Sequence, residues 1–146
     1  THQILGEFSP GWAPSWIAEG TATYLENAQM KEGAMTLGGI KQNRRAYDYR
    51  RRLRKGEKEH SLEDMLKKFG RGGNWDSGNI SRNYRGAAAT WFFLMNFDNG
   101  RYRQDTVELL RDAYSRGQRE IHDYYGISLH GLTYLMKRFY MDCEVR

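Results

Sequence analysis

Apolar residues recur along this chain at the three- and four-residue spacing of helices, and this pattern predicts most of the fold. The segment from Asn83 to Phe97 is the most apolar, and we expect it to form the central helix of the core. The segment from Tyr102 to Tyr114 and the segment after Ser128 each place aliphatic side chains along one helical face. Both are therefore predicted to be amphipathic helices that pack on the central one.

Shorter helices are predicted between turn signals. Pro14 and Ser15 favour the start of a helix that runs to about Met30, where Glu32-Gly33 would end it. Further helices are predicted over three segments: Lys41 to Lys55, Ser61 to Phe69 with a capping pattern, and Ile121 to Tyr125. The segment from Ala34 to Ile40 has two glycines and few charges, which favours a short strand or an extended link. The predicted fold class is mainly α.

Composition is consistent with one folded domain. The chain has 146 residues, of which 39% are hydrophobic and 14% aromatic, enough to bury a core. No apolar run is long enough to cross a bilayer. Cys143 is the only cysteine, which excludes an intrachain disulfide and a zinc site built from several thiolates.

The net charge of +5 comes largely from one basic cluster. Its members are Arg44, Arg45, Arg50, Arg51, Arg52, Arg54, Lys55 and Lys58. Such a cluster attracts nucleic acid or acidic substrates when it lines a cleft. It is more often the solvated side of a helix, so nucleic acid is not the partner we expect.

Two segments near the amino terminus carry residues that suit a metal site. The first is Thr1-His2-Gln3, and the second, Trp16 to Tyr24, reads W-I-A-E-G-T-A-T-Y. On a helix, Glu19 and Ala22 share one side, and the small Ala22 would let a neighbouring helix come close. A carboxylate placed there would be partly desolvated, and a metal ion would offset that cost. A catalytic zinc site needs three protein ligands and one open position.

The second segment resembles the W-[LI]-x-E-G-x-A-x-Y signature of gluzincin zinc metallopeptidases, which include thermolysin and the aminopeptidase N family. Together with Thr1-His2-Gln3 it is similar to bacterial families of unknown function that carry an HExTHQ-type helix. The resemblance implies that His2 and Glu19 are Zn²⁺ ligands in the intact protein. It also implies that the first His and the catalytic Glu lie upstream of Thr1.

This resemblance implies a zincin-like architecture. Residues 1–30 would be the remnant of the zinc-binding helix pair, namely the tail of the active-site helix and the Glu-ligand helix. Residues 31–146 would form a single C-terminal helical subdomain that closes one side of the cleft. Tyr84-Arg85-Gly86-Ala87 resembles the Tyr-x-x-Gly-Ala element of aminopeptidase N relatives but is one residue shorter. Tyr84 is therefore a candidate oxyanion donor, or alternatively a packing residue.

The expected function is that of the C-terminal part of a zinc-dependent metallopeptidase, a hydrolase that cleaves a peptide or protein substrate with metal-activated water. The chain alone is expected to be inactive, because it lacks one ligand and the base. By resemblance the location would be extracytoplasmic, either secreted or periplasmic. The alternative is a non-catalytic basic helical module with a binding or structural role. His60 is expected to be exposed, and neither His122 nor His130 has a partner at ligand spacing.

Overall fold

The computed structural model describes residues 13–70, 73–76, 78–115, 117 and 119–142. Within these ranges the chain forms seven α-helices and one β-hairpin, so the mainly α prediction is confirmed. The elements in chain order are α1 (Ser15–Leu25), β1 (Gln29–Lys31), β2 (Ala34–Thr36), α2 (Arg44–Arg54), α3 (Leu62–Phe69), α4 (Ile80–Asn96), α5 (Arg103–Ser115), α6 (Ile121–Tyr125) and α7 (Leu129–Asp142). None of these helices is long and apolar enough to span a bilayer.

Helix α4 is the centre of the core, as its apolar sequence predicts. Helices α1, α2, α3, α5 and α7 all contact it, and its residues from Gly86 to Leu94 are buried. The small side chains of three consecutive residues, Ala87 to Ala89, allow neighbouring helices to approach α4 closely. The aromatic side chains of Trp91, Phe92 and Phe93 follow and are also buried in the core. The Phe93 ring lies 5.2 Å from Phe97, 5.6 Å from Phe139 and 6.4 Å from Tyr102, measured between ring centroids. These contacts join α4 to α5 and α7 through a single aromatic cluster.

Side chains cap the starts of several helices. The Ser61 hydroxyl accepts a hydrogen bond from the Asp64 amide, and the Asp64 carboxylate accepts one from the Ser61 amide, each at 3.0 Å. Asn43 caps α2 by accepting from the Ala46 amide at 3.2 Å. Ser128 accepts from the Gly131 amide at 3.0 Å at the start of α7. Helix α1 differs, because Pro14 precedes it without any side-chain cap.

The first helix is shorter than predicted, because its last predicted residues belong to a β-hairpin instead. Helix α1 ends at Leu25 rather than near Met30, and β1 and β2 pair in antiparallel register with Met30 opposite Met35. Glu32 and Gly33 connect the strands with φ of 52° and 78°. A two-residue turn with both φ values positive matches the twist of a hairpin, and glycine adopts that backbone without strain. Of the two alternatives predicted for Ala34 to Ile40, a short strand or an extended link, a strand forms over Ala34–Thr36.

Candidate functional site

Helix α1 packs closely on α4 because Gly20 lies at their contact. A Cβ at this position would lie 3.0 Å from the Ala87 carbonyl oxygen and 3.3 Å from the Trp91 Cβ. One turn earlier, the Trp16 ring lies 6.2 Å from the Trp91 ring, and one turn later Tyr24 packs edge-on to Phe92 at 6.4 Å. These motif residues fix α1 against the core, and the orientation of Glu19 follows from that packing.

The two threonines of the motif satisfy their own hydroxyl groups within α1. Thr21 donates to the Ile17 carbonyl at 2.7 Å, and Thr23 donates to the Glu19 carbonyl at 2.8 Å. Both threonines are buried. Hydrogen bonds to the preceding turn let these polar side chains be buried without loss of a partner.

Glu19 lies on α1 and is half-buried. Burial raises the pKa of Tyr114 on α5, and the negative charge of Glu19 raises that pKa further. No motif marks Tyr114 in the sequence, because only the folded chain brings α5 to Glu19.

The described residues supply one of the expected zinc ligands. Glu19 offers carboxylate oxygens of the kind that zinc accepts, whereas His2 lies outside the described residues. Within the described part of the chain, no group of three or more His, Cys, Asp or Glu side chains is arranged to hold a metal ion. Glu26 is exposed and occupies the C-cap position at the end of α1.

The prediction that His60 is exposed is wrong. Its ring is buried, lies 2.9 Å from the Asn83 side-chain oxygen through Nε2, and packs edge-on to Phe69 at 5.6 Å. Burial lowers the pKa of His60, which favours the neutral ring. His60 is thus part of the core between α3 and α4. His122 and His130 are exposed, and His122 Nε2 lies 3.1 Å from the Asp123 carboxylate.

Tyr84 lies on α4 and contacts Trp75 and Arg45. Its ring packs edge-on to Trp75 at 5.2 Å, and the Arg45 guanidinium lies over it, 4.7 Å from the ring centroid. These contacts of Tyr84 therefore involve α2 and the loop before α4. A role for Tyr84 as oxyanion donor stays a prediction.

Five arginines of α2 and α4 line a cleft of about 620 Å³, which we call the arginine cleft. Its lining residues are Arg44, Arg45, Tyr47, Asp48, Arg51, Arg52, Ser81, Tyr84 and Arg85. The basic cluster of the sequence is therefore divided between two environments. Arg50 is only 8% exposed, and Arg54 donates to the main-chain carbonyls of Tyr140 and Met141, so both belong to the packing of the domain.

Most of the cleft arginines are paired with carboxylates. Asp48 accepts from Arg51 at 2.7 Å and from Arg52 at 3.1 Å, and although its burial acts in the opposite direction, these hydrogen bonds lower the pKa of Asp48. Arg85 contacts both oxygens of Glu59, the shortest distance being 2.7 Å. The sequence gives no sign of this pairing, because Glu59 and Arg85 belong to segments that meet only in the fold.

Comparisons of the chain with models of protein families, with curated proteins and with solved structures found no match. The class that the structure defines is a mainly α domain. The resemblance to gluzincin metallopeptidases depends on the two amino-terminal segments. Of these, the helix that carries Glu19 belongs to the described residues, and Thr1-His2-Gln3 does not.

Proposed function

We propose that this chain is the C-terminal part of a gluzincin-type zinc metallopeptidase, in which Glu19 and His2 are two of the three protein ligands. The position of Glu19 supports this most. Trp16, Gly20 and Tyr24 of its motif pack on α4, and the two threonines bond within the helix. Glu19 lies on the helix that these contacts hold against α4, and it is half-buried. Partial desolvation of a carboxylate costs free energy, and a bound cation would offset that cost.

In this proposal the residues of the chain have separate tasks. Glu19 would hold the metal, and the close contact at Gly20 would keep α1 fixed while it does so. The charge of Glu19 also acts on Tyr114 of α5, whose pKa it helps to raise after burial. When bound, zinc acidifies a water molecule and polarises the carbonyl of the scissile peptide. The remaining ligand and the general base are expected upstream of Thr1.

The test compares the 146-residue chain with a version extended upstream through the expected HExxH helix. The extended protein is expected to hold about one zinc ion per chain and to hydrolyse peptides, while the shorter chain binds zinc weakly and is inactive. In the extended protein, Glu19→Gln should lose zinc. Glu26→Gln is the matched control, because it removes the same charge from an exposed position at the end of α1.

Zinc content measured by mass spectrometry and peptide cleavage followed by chromatography give independent readouts. The proposal is wrong if an extended protein with an intact HExxH holds no metal. It is also wrong if Glu19→Gln retains as much zinc as Glu26→Gln.

The arginine cleft favours a second candidate function, that of a non-catalytic module that binds an anionic partner. Exposed arginines line this cleft whether or not a metal is bound at Glu19. The module would bind its partner in the presence of a chelator, with an affinity that falls as salt rises. The peptidase requires the metal, so dialysis against a chelator separates the two functions.

A further inference from the structure

The arginine cleft contains two cations that the stability of α2 does not explain. Arg44 and Arg45 form the first turn of that helix, both are exposed, and the first turn holds no acidic residue. The N-terminus of a helix carries partial positive charge, so a cation there costs roughly 0.3–1 kcal/mol. These two side chains therefore lower the stability of α2.

In the described part of the cleft, the positive charge that carboxylates do not neutralise belongs to Arg44 and Arg45. Arg51 and Arg52 share Asp48, and Arg52 also donates to Glu57 at 2.7 Å. Arg85 is paired with Glu59. Within the described residues, Arg44 and Arg45 form no ion pair with a carboxylate; Arg45 lies instead over the Tyr84 ring. Two guanidinium groups can hold one anionic group between them.

Arg45 is held in a geometry suited to that task. Its guanidinium lies 4.7 Å from the centroid of the Tyr84 ring, and the Trp75 ring packs edge-on with the same tyrosine at 5.2 Å. Contact of the guanidinium with a ring leaves N–H groups at its edge available to donate. Because the side chain is already ordered, less entropy is lost when a ligand binds.

We propose that the arginine cleft binds a single carboxylate group of an acidic peptide, which Arg44 and Arg45 hold beside the Tyr84 ring. A carboxylate offers two oxygens in the planar arrangement that guanidinium groups match best. The cleft volume of about 620 Å³ leaves space for the residues that flank the acidic one. The proposal does not require zinc, and it stands whether or not the chain belongs to a peptidase.

The charge distribution disfavours a nucleic acid in this cleft. A nucleic acid strand presents successive phosphates, and binding it requires a continuous series of free cations. In this cleft Asp48 pairs with Arg51 and Arg52. Among the described residues that line it, the guanidinium groups without a carboxylate partner are therefore confined to Arg44 and Arg45, which can hold one anionic group. An isolated acidic side chain between neutral neighbours fits that pattern better.

The test is an NMR titration of the ¹⁵N-labelled 146-residue protein with two peptides whose termini are blocked. Acetyl-Ala-Glu-Ala-amide carries one carboxylate, and acetyl-Ala-Gln-Ala-amide has the same shape without it. The Glu peptide is expected to shift the amides of Arg44 to Asp48 and to bind about tenfold more tightly than the Gln peptide, as for loss of a charge-assisted hydrogen bond.

The double variant Arg44→Gln/Arg45→Gln is expected to lose about tenfold in affinity for the Glu peptide. The matched control is Arg111→Gln/Lys137→Gln, which removes the same charge from exposed positions on α5 and α7. It should bind within about twofold of the unchanged protein, because neither side chain is among the described residues that line the cleft and salt screens exposed charges. Urea unfolding of both variants checks that each remains folded.

Equal affinity for the Glu and Gln peptides would overturn the proposal, as would equal losses in the two double variants. A single-stranded oligonucleotide or inorganic phosphate that binds more tightly than the Glu peptide, with the same dependence on Arg44 and Arg45, would assign the cleft to phosphate instead. Glu19→Gln should bind the Glu peptide normally. Failure of the metallopeptidase proposal is thereby distinguished from failure of this one.

Discussion

The ion pair between Arg85 and Glu59 allows a quantitative test of how the domain is held together. The Glu59 side chain is 1% exposed and that of Arg85 is 12% exposed. The Arg85 Nε lies 3.2 and 3.3 Å from the two carboxylate oxygens, and Nη2 lies 2.7 Å from one of them. Asp48, at 3.8 Å, adds a weaker contact. This arrangement is a bidentate pair largely removed from water.

Replacement of Arg85 by Met keeps an apolar stem of similar length and removes the charge. Glu59 then remains buried without its cation, and breaking a buried pair in this way costs about 3–5 kcal/mol. The total free energy of unfolding of such a domain is about 5–15 kcal/mol. Arg85→Met should therefore remove a large part of the stability. The double variant Glu59→Met/Arg85→Met replaces the pair by apolar groups and should recover most of the loss.

Urea unfolding followed by circular dichroism at neutral pH measures these differences. Arg101→Met is the control, because Arg101 and Asp98 lie 3.8 Å apart with side chains 64% and 59% exposed. An exposed pair of this kind contributes at most about 1 kcal/mol. The reasoning is refuted if Arg85→Met costs no more than Arg101→Met. It is also refuted if the double variant is less stable than Arg85→Met alone.

The remaining predictions concern a helix cap and a buried histidine. Ser61→Ala removes the hydroxyl that accepts from the Asp64 amide at 3.0 Å and should lower the free energy of unfolding by about 0.5–2 kcal/mol. Ser81→Ala, at an exposed position, should change it little in the same urea titration. Because burial lowers the pKa of His60 in the folded state, the unfolded chain takes up the proton first, so stability should fall as pH drops below about 6.5. His60→Gln should weaken that dependence between about pH 7.5 and 5.5; an unchanged slope would contradict the assignment.

Signals contained within a few neighbouring residues predicted the helices well. The capping pattern at Ser61 is formed as predicted, and the short helix from Ile121 to Tyr125 has the predicted bounds. The apolar periodicity of α4 and α7 also located the core. In each case the interactions that define the element lie within one or two turns of the chain, so the order of residues is enough to predict them.

Features that depend on distant partners were missed. His60 looked like an exposed residue before a cap, but Asn83 and Phe69 enclose it once α3 and α4 pack together. Arg50 and Arg44 are the same residue type on the same helix, yet one is buried and the other is exposed. The sequence showed a basic cluster, and only the packing of α2 on α4 and α7 separated the structural arginines from those that line the cleft.

The candidate metal site combines both kinds of information. Glu19 could be predicted from its own helix, because the residues that surround it in sequence are those that pack α1 on α4. The influence of Glu19 on Tyr114 could not be predicted, because no local sequence pattern around Tyr114 indicates an interaction with Glu19. The raised pKa of Tyr114 arises first from burial and then from the Glu19 charge. A cation held by Glu19 would offset that charge and ease ionisation of the phenol. Ionisation of Tyr114 would therefore respond to a metal ion held by Glu19.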